Sequence, residues 1–306
     1  MGEKSKLIGE FGEKSIENLF KMIGWGDPPK FIEFKCNKEN HKRTTHGIDF
    51  FFAYKSPLVD SVLKKINVSV KFSNNPYPPS PNSKFKEYFV ELVTALDCFK
   101  LSPEYSKIIK SMTGYSSSED IGLLFWLTND GSGYSDLISK IANATLPTEY
   151  NYHSFYVVDN KRIDFIYLTL KYINTNFQGS DVNFFYPDTG KNIIPHIKRN
   201  YGKVLPVEFI NSSLLPVRVE DKVTKQTTLI LSSIDPFSCD ALKRLISLSQ
   251  ELSKSWSSKI IICFPDYNEL NNSSDVRIAK GVFEDESFIN HISVVSYNDN
   301  FKSLQL

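Results

Sequence analysis

Three side chains far apart in the chain, Glu13, Asp49 and Lys71, are of the types that hydrolysis of a phosphodiester requires. Two carboxylates can hold a hard divalent cation such as Mg²⁺ (or Mn²⁺), which polarises the phosphate and activates a water, while an ammonium group stands near the developing charge. His46, three residues before Asp49, is a further candidate, as a phosphate contact or a proton carrier near the leaving oxygen. Each residue also has a plain structural reading. A glutamate on a helix rim reaches water, an aspartate after Gly-Ile ends a turn, a strand lysine is exposed, and a histidine can fix a strand entry through a backbone hydrogen bond. Singly these readings prevail; together the residues point to a site.

The elements that must position them are legible in the apolar spacing. From Ser5 to Gly24, Ile8, Phe11, Ile16, Leu19, Phe20 and Ile23 follow the period of a helix buried on one side, with Glu10, Lys14, Glu17 and Lys21 as the solvated stripe. Glu13 stands at the border, where a carboxylate is costly to desolvate unless a cation or donors meet it. Residues 47–54 alternate as a strand, with Ile48, Phe50, Phe52 and Tyr54 on one face and Asp49, Phe51 and Ala53 on the other. In 67–73, Val68, Val70 and Phe72 face one way, so Ser69 and Lys71 project together on the other side. The run Asn74-Asn75-Pro76-Tyr77-Pro78-Pro79-Ser80-Pro81-Asn82 must be a loop or extended arm, a rigid connector or one with Tyr77 free to stack on a base. An amphipathic helix over 83–100, a buried strand over 121–127 and a helix near 134–144 follow.

Gly9-Glu10-Phe11-Gly12-Glu13, with Ile16, Phe20 and Gly24-Trp25, resembles the first helix of Holliday-junction resolvases and other restriction-endonuclease-like proteins. That PD-(D/E)xK superfamily carries Glu on a helix, Asp on a second strand and Glu-x-Lys or Gln-x-Lys on a third. The resemblance implies metal-ligand roles for Glu13 and Asp49 and the lysine role for Lys71. It also implies an α/β fold: a restriction-endonuclease-like core, with a mixed central sheet flanked by helices. Ser69 stands where the pattern has a carboxylate or amide, and a hydroxyl is a weaker Mg²⁺ ligand. A closer resemblance, through His41-Lys42-Arg43-Thr44-Thr45-His46-Gly47-Ile48-Asp49-Phe50 and Val68-Ser69-Val70-Lys71-Phe72-Ser73, is to the nuclease-subunit family of the two-protein GAPS-four anti-phage system. It implies DNA cleavage in phage defence beside a second, different subunit, with a hetero-oligomer of two copies of each as the assembly expected.

The rest of the chain sets bounds. Its 306 residues suit a nuclease-like domain over 1–150 and an α+β C-terminal half over 151–306 for packing or partner binding. Within 151–306, His153, His196 and His291 read as isolated structural imidazoles, and Asp235 and Asp266, beside prolines, as turn or cap residues. No apolar run approaches a bilayer's thickness and the N-terminus lacks an apolar signal core, so a cytoplasmic location is expected. Cys36, Cys98, Cys239 and Cys263 are widely spread; their spacing does not suit a zinc site, and they read as reduced, structural thiols. Net charge is only +1, yet residues 29–86 hold 11 Lys or Arg against 4 Asp or Glu, a balance of +7. Such a segment is either a footprint for a phosphate backbone or a solvated surface. On the first reading Lys30, Lys35, Lys38, Lys42 and Arg43 are the phosphate contacts. Against an active nuclease stand two other readings: a nuclease fold with Ser69 as the scar of lost catalysis, keeping DNA affinity, or a scaffold whose basic segment docks an acidic partner.

Overall fold

The first helix, α1 (Gly2–Met22), buries Ile16, Leu19, Phe20 and Ile23 on one face. It stops at Gly24, whose φ of 77° lets the Trp25 amide reach back to the Phe20 carbonyl at 2.8 Å. Trp25 then stacks on Phe52 with ring centroids 5.1 Å apart. Phe11 does not belong to the buried stripe: it is 61% exposed, with its ring 5.5 Å from that of Phe72. These features come from a computed structural model describing residues 2–41, 43–129, 136–191, 200–254 and 256–298, with backbone alone for residues 2–6.

The chain divides into two compact units, Met1–Ile163 and Asp164–Leu306. The first is built on a mixed sheet of β1 (Lys30–Lys35), β2 (Thr45–Lys55), β3 (Val62–Ser73), β4 (Ser117–Thr128) and β5 (Ser154–Val158), in that spatial order. β1, β2 and β3 pair antiparallel, while β4 and β5 add in parallel. α1 lies on one face, where Phe20 meets Phe50 and Phe125. α2 (Asn82–Phe99) covers the other, burying Phe85, Phe89, Leu92, Val93, Leu96 and Phe99. Short helices α3 (Pro103–Ile109) and α4 (Leu137–Ile141) complete this layer. This is a mixed α/β arrangement consistent with a restriction-endonuclease-like core. The first unit runs past the division expected near residue 150, because β5 hydrogen-bonds along Ile121–Phe125 of β4; the boundary falls inside α5 (Asn160–Asn176).

β2 breaks the simple alternation. Ile48 packs with Phe51, Cys98 and Phe99 on the α2 face, whereas Phe50 packs on Phe20 of α1. Four successive positions therefore do not alternate, and Asp49 lies at the break. The flanking ladder is interrupted at the same level: Lys30 pairs with Phe50 and Ile32 with Ile48, while Phe31 between them takes φ 53°. For a bulky L-residue that is a strained conformation, of the kind that clusters at functional sites.

The basic balance of residues 29–86 is partly cancelled in three dimensions. Lys64 and Lys65 are buried in the sheet, Lys64 paired with Glu119 and Lys65 with Asp120 at 2.9 Å. Both acids come from β4, outside the basic window.

The second unit contains β6 (Asp181–Phe185), β7 (Tyr201–Gly202), α6 (Val207–Ile210), β8 (Leu214–Glu220), β9 (Thr227–Ser233), α7 (Cys239–Ser253), β10 (Lys259–Phe264), α8 (Glu269–Lys280), α9 (Glu286–Asn290) and β11 (Ile292–Ser296). Its mixed sheet runs β11-β10-β9-β8-β6-β7, with a core of Leu229, Leu231, Leu242, Ile246, Ile262 and Phe264. Asp266 accepts the Phe237 amide, 29 residues away, at 2.7 Å, which ties two loops together and is not a bond within its own turn. His153, in the first unit, is exposed and lies 3.3 Å from Glu119; His196 is outside the described residues. Among the described residues, no helix is long and apolar enough to cross a membrane.

Candidate active site

Asp49 sits where two ladders part. Pairing of β2 with β3 runs from Lys55↔Leu63 to Phe50↔Val68, after which β3 continues beside β4 to Ser73↔Thr128 and β2 beside β1 to Thr45↔Lys35. The fork deprives the Val70 amide of a strand carbonyl, and the Asp49 carboxylate accepts it instead at 2.6 Å. A buried amide must find an acceptor, so the fork fixes the side chain as firmly as the side chain fixes the fork. The Ser69 hydroxyl, itself buried, is near enough to the same carboxylate to favour its charged form.

Glu13 approaches from α1. The helix comes close because Gly12 has no side chain: a Cβ there would lie 2.4 Å from Phe72 Cβ on β3. Burial first, and then the negative charge of Asp49, pushes the half-buried Glu13 carboxyl above its ordinary range, against a smaller opposing pull from Lys30. Burial likewise raises Asp49, despite the Val70 amide, the Lys71 charge and the Ser69 hydroxyl. Two carboxyls that raise their own proton affinity in one place are short of positive charge.

Lys71 supplies part of that charge, and it is held from α2. Its Nζ lies 2.9 Å from Glu91 Oε2 and 5.3 Å from the centre of the Tyr88 ring. Glu91 also approaches Arg43 at 3.6 Å, and its charge is felt at Asp49. Despite burial, the Lys71 and Arg43 charges keep the Glu91 carboxyl below its usual range. The fold thus links Glu13, Asp49, Ser69 and Lys71 electrostatically and adds Glu91, which sequence reading missed. The one available signal was faint: a carboxylate directly before the buried pair Leu92-Val93 on an amphipathic helix.

Other expectations are redirected. His46 is 4% exposed, with its ring 5.9 Å from Phe34 and 5.5 Å from His41, so it lacks the reach into solvent that a phosphate contact or proton carrier needs. Tyr77 is not a free stacking ring. Its hydroxyl donates to the Trp126 carbonyl at 2.8 Å and accepts the Asn160 amide at 3.1 Å, with the ring edge-on to Trp126. It clamps the 74–82 loop to the fold. Of the expected phosphate contacts, Lys30 pairs with Glu17 at 3.1 Å, Lys38 pairs with Asp97, and Arg43 faces Glu91, while Lys35 is exposed. Lys42 lies outside the described residues. Arg43 and Glu91 also line a cavity of about 540 Å³ with Lys86, Glu87 and Tyr150.

The donor set at the fork fits a hard divalent cation. Glu13 and Asp49 are oxygen ligands whose raised carboxyls a bound cation would bring down, and Mg²⁺ typically takes one or two carboxylates and keeps waters for the rest. A comparison with curated proteins finds no match. A protein-family model, the GAPS4 protein PD-(D/E)XK nuclease domain, matches residues 1–162, the part of the chain that carries Glu13, the Asp49 fork, Lys71 and Glu91. The chain belongs to that family of nuclease domains.

Proposed function

We propose that the chain is a divalent-metal-dependent DNA endonuclease, acting in anti-phage defence with a second, different protein subunit. What chiefly supports this reading is the Asp49 carboxylate lodged in the β2–β3 fork, with Glu13 and Lys71 close enough for their charges to count, in a member of a nuclease family. Glu13 and Asp49 are the residues that would hold the cation. When bound, Mg²⁺ or Mn²⁺ supplies an activated water and polarises the scissile phosphate.

The chain's own groups do the rest. The Val70 amide orients Asp49 and the neighbouring Ser69 hydroxyl favours its charged form, so in this reading Ser69 acts on the aspartate and need not replace a missing acid. Lys71 offers an ammonium to the charge that develops on the phosphate, a contribution of about 3–4 kcal/mol by comparison with other preorganised donors. Glu91 is a positioning residue: it holds Lys71 at 2.9 Å, on the side of β3 that faces α2. The Lys30, Lys35 and Arg43 side chains are the DNA-backbone contacts in this reading, and the present acidic partners of Lys30 and Arg43 would exchange for phosphates.

The test is cleavage of plasmid DNA by the purified chain with its partner subunit, in Mg²⁺ and in Mn²⁺. Loss of cutting in Asp49→Asn and Lys71→Ala, with folding retained, is the expected result; undiminished cutting places the chemistry elsewhere. The rival reading, a fold that keeps DNA affinity without cleavage, rests on Ser69 in place of a carboxylate. It requires that Mn²⁺ binding not depend on Asp49, which a titration of both proteins decides.

A further inference from the structure

Cys36, His41, His46 and Cys98 offer four ligand atoms that all lie within 4.8 Å of one another, all inside the first unit. The Cys36 and Cys98 sulfurs are 3.7 Å apart, and His41 Nδ1 is 3.7 Å from the first and 3.2 Å from the second. A tetrahedral zinc ion, with Zn–S near 2.3 Å and Zn–N near 2.0–2.1 Å, needs ligand edges of about 3.8 Å between sulfurs and about 3.6 Å between sulfur and nitrogen. The measured edges lie within about 0.4 Å of these. A disulfide is a poor account of the same pair, since its sulfurs would be bonded at about 2.05 Å and the two imidazoles would remain unexplained.

The second observation is independent of those distances. His46 is 4% exposed, and among the described residues neither of its ring nitrogens has a hydrogen-bond partner. A buried imidazole with both nitrogens unsatisfied pays the full desolvation penalty at each, and a metal ion removes it at one of them. His41 carries the outer partner that zinc-bound histidines usually have: Nδ1 faces the sulfurs while Nε2 lies 4.0 Å from Asp97, which Lys38 holds in turn.

We propose that Cys36, His41, His46 and Cys98 form a structural zinc centre that fastens the β1–β2 connection to α2. Two sulfurs with two imidazoles, two of the four residues buried and two partly buried, select Zn²⁺ over the hard cation suited to Glu13 and Asp49. The first three ligands stand on or near one short stretch, spaced Cys-x₄-His-x₄-His, whereas the fourth comes from a helix far along the chain. The stretch between His41 and His46 carries Arg43, which faces Glu91 and through it Lys71, so the centre steadies the approach to the fork without touching it.

The experiment is elemental analysis of the full chain, purified without chelator, followed by exchange of its metal for Co²⁺. About one zinc per chain is expected. The cobalt form should show the ligand-field bands of a tetrahedral site and a thiolate-to-metal charge-transfer band in the near ultraviolet. His46→Ala and Cys98→Ser should lose the metal, Cys239→Ser and Asp49→Asn should keep it, and His46→Cys should keep it with a stronger charge-transfer band. The last variant retains four ligands, so it reports even if the others fail to fold. A folded wild-type chain with well under one zinc and no tetrahedral cobalt spectrum overturns the proposal, as does a Cys36–Cys98 disulfide in that metal-free chain.

Discussion

Gly12→Ala is the sharpest probe of how α1 delivers Glu13. The added Cβ would lie 2.4 Å from Phe72 Cβ, 2.8 Å from its Cγ and 3.3 Å from Cδ2. Carbon atoms settle at roughly 3.5–4.0 Å, so helix and strand must separate by about 1 Å. Overpacking of this kind costs about 1–3 kcal/mol, partly offset by the ~1 kcal/mol that alanine gains over glycine inside a helix. Net destabilisation is therefore modest, from near zero to about 2 kcal/mol. The functional cost is larger, because a shift of about 1 Å in a positioned group lowers rates by about 100-fold. Gly9→Ala is the internal control: the same substitution on the same helix meets nothing within 4 Å, and should stabilise by up to ~1 kcal/mol without changing function. Urea unfolding, Mn²⁺ titration and plasmid cleavage with the partner subunit read out the pair. If Gly12→Ala binds Mn²⁺ and cuts DNA like wild type, the close approach of α1 to β3 is not what places Glu13, and the reasoning fails.

The raised carboxyls of Glu13 and Asp49 set a pH dependence. A carboxyl raised in the folded state holds its proton more tightly there than in the unfolded chain. Its contribution is favourable below the ordinary carboxylate range and is lost as pH rises through the folded value. Asp49→Asn should accordingly gain stability relative to the metal-free wild type as pH climbs through that window, by urea melts at a series of pH values; an unchanged difference would contradict the burial argument. Added Mg²⁺ should stabilise wild type and not this variant. Glu91→Gln removes the charge that holds Lys71 at 2.9 Å, and should lower the cleavage rate while leaving Mn²⁺ affinity near wild type. Tyr77→Phe deletes a hydroxyl that donates to Trp126 and accepts from Asn160; it should cost about 1–3 kcal/mol by thermal unfolding with DNA affinity unaltered, and full stability in this variant would refute the clamp.

The chain's own residues determined much of this. Apolar periodicity alone placed α1, β2, β3, α2 and β4, because a helix or strand with one buried face must repeat its apolar residues at the period of its own geometry. The spacing of Glu13, Asp49 and Lys71, with the glycines and aromatics around them, was enough to raise phosphodiester chemistry. What the sequence could not carry was anything that depends on which strands part and which helices cross them. Ile48 and Phe50 look like partners on one face until the β2–β3 fork turns Asp49 inward and sets them on opposite sides. Glu91 is an ordinary helix glutamate until α2 crosses β3 beside Lys71. The +7 balance of residues 29–86 looked like a phosphate footprint, yet Glu119, Asp120, Asp97 and Glu91 fold back onto it from outside the window. Cys98 is 52 residues from His46 in the chain, and only packing of α2 on the sheet brings its sulfur to the cluster with Cys36 and His41. Chemistry of this kind is read in ångströms between side chains, and a linear spacing reports those only within one helix or one strand.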